Sequence, residues 1–206
     1  MTSPAPSAAG AMRRRLPLAL LAAVFLGPLV LSFWLYYGGV RFRPPGRVNH
    51  GELVVPPHSL PPASLATLAG PPTAPGFLRG KWSLVYVAAG DCGGRCRQAL
   101  ADTRAVRIAL ERDATRVQRV LLGAAGCCER GFLAAEHPDV VTAWLESPAG
   151  ERLLRAFPDY GVPVAGAGRT YLVDPLGNLL MSYPPGADRT GILRDLEQLL
   201  RLSQIG

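Results

Sequence analysis

Four cysteines are the residues of this sequence best suited to chemistry, and they fall in two pairs. Cys92 and Cys96 are four residues apart in a glycine-flanked loop that leads into a helical pattern, whereas Cys127 and Cys128 are adjacent. At the first spacing, one residue lies in the loop and the other one turn into the helix, so both sulfurs face one side. This first pair is therefore within reach of a single soft ion or of each other.

Two chemistries suit Cys92 and Cys96. A thiol near a helix N-terminus gains thiolate character, which favours thiol–disulfide exchange. Two thiolates are also soft ligands of the kind that select Cu(I). The alternative is a buried pair or an inert disulfide, although the flanking glycines favour exposure. Asp91, beside Cys92, either tunes that thiolate or caps the following helix.

The residues around the cysteines predict alternating strands and helices. Trp82–Ala88 is a short apolar run that predicts a buried strand, a helical pattern follows to about Asp113, and Val117–Leu122 predicts a second strand. This order implies a right-handed crossover and a parallel pair of strands. The later elements are two helices, two strands joined as a hairpin and a closing amphipathic helix, over Pro138–Leu145, Gly150–Phe157, Arg169–Val173, Leu179–Tyr183 and Ile192–Leu202.

The order of elements is typical of an α/β thioredoxin-like fold, which we assign to residues 77–203. In such sheets the site lies beyond the carboxyl ends of the parallel strands, where Cys92 falls. Parallel pairing brings the loop after Val117–Leu122 to the same edge, so we hypothesise that Cys127 or Cys128 approaches the first pair as a resolving thiol or a third sulfur ligand. That they are separate structural thiols is the alternative. A vicinal disulfide is disfavoured because it strains the peptide bond.

The segment before this domain predicts a membrane anchor. Leu16–Tyr37 contains no charged residue, and a helix of that length is roughly 33 Å long, enough to cross the hydrocarbon core. We predict a short cytoplasmic tail over 1–15, one transmembrane helix over 16–37 in contact with lipid, and a Pro/Gly-rich linker over 38–76. A cleaved signal peptide is the competing interpretation, but the run is long and lacks a small-x-small ending.

The linker contains two features besides its prolines. Leu53–Val55 is an apolar run that could dock on the domain as an edge strand. His50 and His58 lie in the same segment, where surface or capping roles are favoured over metal ligation. For His137, beside a proline, a surface loop role is likewise favoured over ligation.

The charge distribution excludes a nucleic-acid partner. The net charge of +7 arises in residues 1–90, which carry eight basic residues and one acidic residue, so residues 91–206 have no net charge. Nucleic-acid binding requires basic residues concentrated on the folded domain. Three arginines precede the predicted span and three follow it, so the positive-inside count is nearly equal on the two sides. The short amino-terminal tail with its α-amine slightly favours a cytoplasmic N-terminus. We expect a single-pass protein of the inner (cytoplasmic) membrane with its domain in the periplasm.

Three motifs stand out: Gly80-Lys81-Trp82-x-Leu-Val-Tyr, Cys92-x-x-x-Cys96 and Tyr171-Leu172-Val173-Asp174-Pro175-x-Gly177. Together they resemble the Sco/SenC-like (synthesis of cytochrome oxidase) family, and the likeness covers the anchor and about residues 77–203. It implies a membrane-anchored thioredoxin fold that binds copper and helps to metallate or reduce the binuclear copper centre of cytochrome c oxidase. It also implies that the partner is a subunit of that oxidase or another copper-site protein.

The sequence departs from the patterns of its relatives at two positions. The resemblance implies a third copper ligand, a histidine, near Gly166, but residues 161–170 contain none. Ordinary thioredoxins have a cis-proline directly before the position of Arg169, and this chain does not. We therefore expect a divergent factor without the usual Cys-Cys-His site. It would act through Cys92 and Cys96, by thiol–disulfide exchange as an oxidoreductase, by Cu(I) handling, or by both of these activities. The alternative is a non-catalytic membrane-tethered scaffold that binds an oxidase subunit.

Overall fold

The chain divides into two compact units. A computed structural model describes residues 8–37, 49–88 and 90–205. The first unit is Met1–Arg47 and the second is Val48–Gly206. The second unit contains all the described strands, and it contains the four cysteines.

The first unit contains one long helix, α1 (Ala8–Tyr37), which covers the whole predicted span. The helix includes Pro17 and Pro28, and large apolar side chains such as Phe25 are exposed along it. None of the helices among the described residues combines the length and the apolar character that a membrane crossing requires.

The second unit is built on one mixed β-sheet. In chain order its elements are β1 (Glu52–Ser59), β2 (Trp82–Val87), α2 (Gly94–Ala109), β3 (Val117–Gly123), α3 (Arg130–Glu136), β4 (Val140–Trp144), α4 (Pro148–Leu154), β5 (Thr170–Val173), β6 (Asn178–Tyr183) and α5 (Arg189–Leu202). The strand order is β1-β6-β5-β2-β3-β4. Strands β2, β3 and β4 are parallel, whereas β5 is antiparallel to β2, β6 to β5 and β1 to β6.

Both faces of the sheet are covered. The central strand β2 is buried at every position, and its side chains alternate between the two faces. Val85 packs on one face with Leu153 of α4. Leu84 packs on the other face with Val106 of α2 and Leu196 of α5. The burial of β2 in the middle of the sheet places its carboxyl end, and the loop that follows, at the centre of one sheet edge.

The predicted mixed α/β thioredoxin-like fold is confirmed. β2 and β3 pair in parallel from Trp82 opposite Val117 to Val87 opposite Leu122. The helix between them ends at Ala109, and a 3₁₀ turn carries the chain on to β3. The hairpin of β5 and β6 and the closing helix α5 also form as predicted.

The helix predicted over Pro138–Leu145 is wrong. Val140–Trp144 forms β4, which pairs in parallel with β3, with Val140 opposite Arg119. β-branched and aromatic residues dominate this run and suit a strand at the sheet. A run this short has no clear helical or strand period, so pairing with β3 decides its conformation.

Part of the predicted linker is integral to the second unit. β1 pairs antiparallel with β6 at the edge of the sheet, and the edge-strand prediction for Leu53–Val55 is confirmed. After β1, Leu60 and Leu65 are buried in the same core as Val85. Residues 49–76, which the proline content assigns to a linker, therefore belong to the folded domain, because their apolar side chains cover one face of the sheet.

A buried carboxylate on α5 fastens the start of this unit. Asp195 accepts hydrogen bonds from the backbone N–H groups of His50 and Gly51, both at 2.9 Å, and from the Tyr183 hydroxyl at 3.1 Å. Burial and the Asp195 carboxylate raise the pKa of Tyr183. A Cβ atom at Gly191, one turn before Asp195, would lie 2.8 Å from the His50 side chain. The half-exposed His50 side chain thus packs against α5 at Gly191, and its Nδ1 atom lies 3.1 Å from the Asp195 carboxylate.

Candidate functional site

The two cysteine loops leave the same edge of the sheet. Val87 and Leu122 are opposite each other near the carboxyl ends of β2 and β3. The Ala88 N–H donates a hydrogen bond to the Leu122 carbonyl at 2.8 Å, and the Cys92 N–H donates to the Cys127 carbonyl at 2.6 Å. Backbone hydrogen bonds therefore hold the loop with the first cysteine pair against the loop with the second.

Cys92 and Cys96 form a disulfide, with their Cα atoms 5.0 Å apart. Gly93 is the N-cap residue of α2, so Cys92 lies just before the helix and Cys96 lies in its first turn. Asp91 does not cap the helix, and its carboxylate acts to raise the pKa of Cys127. The expectation of exposure is wrong, since the relative exposure of Cys92 is 9% and that of Cys96 is 5%.

Cys127 and Cys128 are free, buried thiols whose Sγ atoms lie 3.0 Å apart. The Cys128 Sγ also belongs to a group with the sulfurs of Cys92 and Cys96, in which all three atoms lie within 4.8 Å of one another. Cys127 packs against Gly123, where a Cβ atom would approach its Sγ to 3.0 Å. The structure thus brings Cys128 to the first pair, and Cys127 lies outside this group of three sulfurs.

The contact between the two free thiols separates their pKa values. The hydrogen bond with Cys128 lowers the pKa of Cys127, against the effects of burial and of the Glu146 and Asp91 carboxylates. The same hydrogen bond and burial raise the pKa of Cys128, an effect that the Arg97 cation opposes. One thiol stabilises the thiolate of the other, so the pair loses its first proton far more readily than its second.

A cleft of about 180 Å³ opens beside the disulfide, and Cys96 contributes to its lining. Arg95 and Tyr86 also line the cleft. Burial raises the pKa of Tyr86, and the Arg95 cation acts against this rise. Sequence reasoning did not single out either residue. The position of Arg95 between the paired cysteines was an available signal, because a residue there must lie beside the disulfide.

Gly166, where the resemblance implies a copper-ligating histidine, lines the same cleft. A Cβ atom at Gly166 would meet no other atom within 4 Å. Gly168, directly before Arg169, occupies the same wall in a left-handed conformation with φ of +61°. The wall that faces Cys96 is thus formed by residues without functional side chains.

The three histidines lie outside the sulfur group. His58 donates its Nε2–H to the Ala156 carbonyl at 2.6 Å, and His50 packs at the start of the unit. His137 is buried beside Arg119, with its Nδ1 atom 3.3 Å from the guanidinium, so the surface role expected for it is wrong. Its burial follows from the position of α3, which was not predicted and which has His137 as its C-cap residue.

Burial and the Arg119 cation lower the pKa of His137. The folded protein therefore binds this proton less readily than the unfolded chain, and the associated stability is lost as pH falls below the ordinary histidine pKa of about 6.5. We expect the melting temperature of the wild-type protein to fall more between about pH 7.5 and pH 5.5 than that of His137→Gln. Thermal unfolding at both pH values measures the difference. His58→Gln is the control and should behave as wild type; an unchanged pH response in His137→Gln would contradict this assignment.

The fold and the paired cysteines define a thioredoxin-like domain with a disulfide at the carboxyl edge of its parallel strands. The chain belongs to the family described as transmembrane-like, thioredoxin-like, C-terminal domain, whose model matches residues 82–203. No curated protein sequence matches the chain.

Solved structures of Sco proteins share this fold. Apo Sco1 from Thermus thermophilus is 16% identical, with a TM-score of 0.58 over 75% of this chain and 99% of that chain. Copper-bound ScoI from Arabidopsis thaliana is 18% identical, with a TM-score of 0.57 over 71% and 100%. BsSco, a Sco-family cytochrome c oxidase assembly protein with a disulfide switch, is 17% identical, with a TM-score of 0.55 over 74% and 99%. The resemblance stated from the motifs is confirmed at the level of the fold.

Proposed function

We propose that this protein is a membrane-anchored, Sco-like factor for cytochrome c oxidase assembly that acts through Cys92 and Cys96. The observation that carries the proposal is the Cys92–Cys96 disulfide beside a cleft at the carboxyl edge of the parallel strands. The proposed partner is a copper-site protein such as an oxidase subunit. The disulfide switch and the assembly role described for BsSco support this choice.

Thiol–disulfide exchange uses the pair as a two-electron carrier. In the reduced protein, one thiolate attacks a disulfide of the partner and forms a mixed disulfide, and the second cysteine then releases the partner as a dithiol. Two electrons and two protons pass to the partner, and the Cys92–Cys96 disulfide of the structure is the oxidised product. An external dithiol reductant restores the reduced pair. The cleft beside Cys96 offers the partner a point of access.

Copper handling requires the same reduced pair. Two thiolates are soft donors that suit Cu(I), and the sulfurs of Cys92 and Cys96 already lie on one side of the start of α2. Copper is the cargo in this proposal, and the protein holds it until transfer to a partner. The copper-bound Arabidopsis protein of the same fold supports copper handling as a proposed activity.

The proposed location is the inner (cytoplasmic) membrane, with the domain in the periplasm. Leu16–Tyr37 has no charged residue and lies within a continuous helix, and the matching family is described as transmembrane-like. An oxidising compartment favours a stable disulfide. Both considerations support a single anchor that holds the domain outside the cytoplasm.

A non-catalytic scaffold is the second candidate function. The burial of both disulfide cysteines limits the surface that they offer to a partner, and Gly166 lacks the third ligand that the resemblance implies. Both observations favour the scaffold. On this alternative the domain binds an oxidase subunit through its surface and the disulfide only stabilises the fold.

A redox titration and a Cu(I) titration of the full-length protein in detergent separate the two candidates. We expect a reversible two-electron transition, Cu(I) binding at one ion per chain, or both, and we expect Cys96→Ser to remove each of them. Cys127→Ser is the control and should retain the Cys92–Cys96 transition. A protein with neither a reversible disulfide nor bound Cu(I) would leave the scaffold as the function.

A further inference from the structure

We infer that Cys128 completes an all-sulfur Cu(I) site with the reduced Cys92 and Cys96, in place of the histidine that this chain lacks. The inference rests on the copper handling in the proposed function. Its basis is the group of three Sγ atoms that lie within 4.8 Å of one another. The three residues are buried to a similar extent, with relative exposures of 9%, 5% and 5% for Cys92, Cys96 and Cys128.

The backbone holds these sulfurs together independently of the disulfide. The Cys92 N–H donates to the Cys127 carbonyl at 2.6 Å, and the Cys127 N–H donates to the Ala124 carbonyl at 3.0 Å. The first bond links the two loops and the second folds the Cys127 loop into a turn. Reduction of the disulfide therefore leaves the residue next to Cys128 fastened to the loop that holds Cys92, and the ligands remain close before the metal arrives.

The donor set selects the ion. Within the described residues, this is the one group of three or more histidine, cysteine or carboxylate side chains placed to hold a metal, and all its donors are sulfur. Thiolates select soft ions such as Cu(I), whereas structural Zn²⁺ is almost always bound by four ligands. Because Cys127 lies outside this group, the three mutually close sulfurs fit Cu(I) better than four-coordinate Zn²⁺.

Cu(I) enters this site after the disulfide is reduced. An external dithiol reduces the disulfide with two electrons and two protons, and Cu⁺ then displaces the thiol protons as three Cu–S bonds form. The bound ion leaves an excess of negative charge, which the Arg97 cation that acts on Cys128 partly offsets. Cys127 stays outside the ligand group, although its Sγ lies 3.0 Å from that of Cys128.

Competition with a chromogenic Cu(I) chelator, on the reduced full-length protein in detergent, tests the inference. We expect Cys128→Ser to weaken Cu(I) binding by about 100-fold or more, since loss of even a supporting residue costs about 10- to 100-fold. Cys127→Ser is the matched control, because it is adjacent, equally buried and retains a hydrogen-bond donor. It should stay within a few-fold of wild type.

X-ray absorption on the copper-loaded wild-type protein needs no variant and should show three sulfur ligands. Two sulfur ligands, unchanged affinity in Cys128→Ser, or a preference for Zn²⁺ would each overturn the inference. If Cys128→Ser binds as wild type while Cys96→Ser does not bind, the proposed two-cysteine function survives without Cys128. If no copper binds but the disulfide is reversible, the inference fails and thiol–disulfide exchange stands as the proposed function.

Discussion

In a protein that carries Cys128→Ser, the further change Gly166→His is expected to tighten Cu(I) binding by about 10- to 100-fold. Gly166 lines the cleft beside Cys96, and a Cβ atom there meets no other atom within 4 Å. An imidazole on this wall therefore has room to supply the third ligand in place of Cys128. Competition with a Cu(I) chelator measures the affinity, and X-ray absorption should then show one nitrogen and two sulfur ligands.

The control for this gain is Gly76→His in the same background. Gly76 precedes β2, whereas Cys92 follows it, so the control histidine lies toward the other end of the strand. Its Cβ atom would meet only the Arg79 side chain at 3.7 Å. Gly76→His should leave the affinity unchanged. Equal gains from both histidines would mean that any added imidazole binds the ion, and the cleft would then have no special part in copper binding.

The second large effect concerns stability. Asp195→Ala is expected to lower the free energy of unfolding by about 3 kcal/mol or more, since a buried donor that loses its partner costs about 1–3 kcal/mol. Four groups contact this carboxylate: the backbone N–H groups of His50 and Gly51, the Tyr183 hydroxyl and the His50 Nδ1 atom. Urea unfolding of the full-length protein in detergent, followed by tryptophan fluorescence, measures the change.

Asp188→Ala is the matched control for Asp195→Ala. Asp188 caps the same helix and accepts one hydrogen bond, from the Thr190 N–H at 3.0 Å. Loss of such a cap costs about 1 kcal/mol. Limited proteolysis should also show that Asp195→Ala, and not Asp188→Ala, opens the chain near Gly51. Equal destabilisation by the two variants would show that Asp195 does not fasten the start of the domain.

The elements around the first cysteine pair could be predicted because their sequence is locally unambiguous. Trp82–Ala88 is apolar, β-rich and bounded by glycines, and a strand–helix–strand order favours a parallel pair joined by a crossover. These two facts suffice to bring the Cys92 loop and the Cys127 loop to one sheet edge. The local sequence pattern predicts a helix at Val140–Trp144, where the structure has a strand. This five-residue run has no distinct period, so pairing with β3 decides its conformation.

The prediction for the proline-rich segment before β2 misses β1 for a different reason. Proline content predicts a spacer because proline cannot continue a helix, but it does not prevent the chain from covering a sheet. β1 pairs with β6, and Leu65 enters the core. A surface position for His137 was likewise inferred from its neighbours in the sequence, whereas its burial depends on α3 and on Arg119, which lies 18 residues away.

The sequence by itself determined the residue types of the site, their spacing and the absence of a histidine near Gly166. Only the tertiary structure decided which of the two adjacent cysteines approaches the disulfide, because adjacent side chains in a turn point in different directions that sequence spacing does not specify. The Cys92–Cys127 backbone hydrogen bond sets that direction and brings the Cys128 sulfur to the pair. It was also the packing of the two loops that buried the sulfurs in a segment whose glycines suggested exposure.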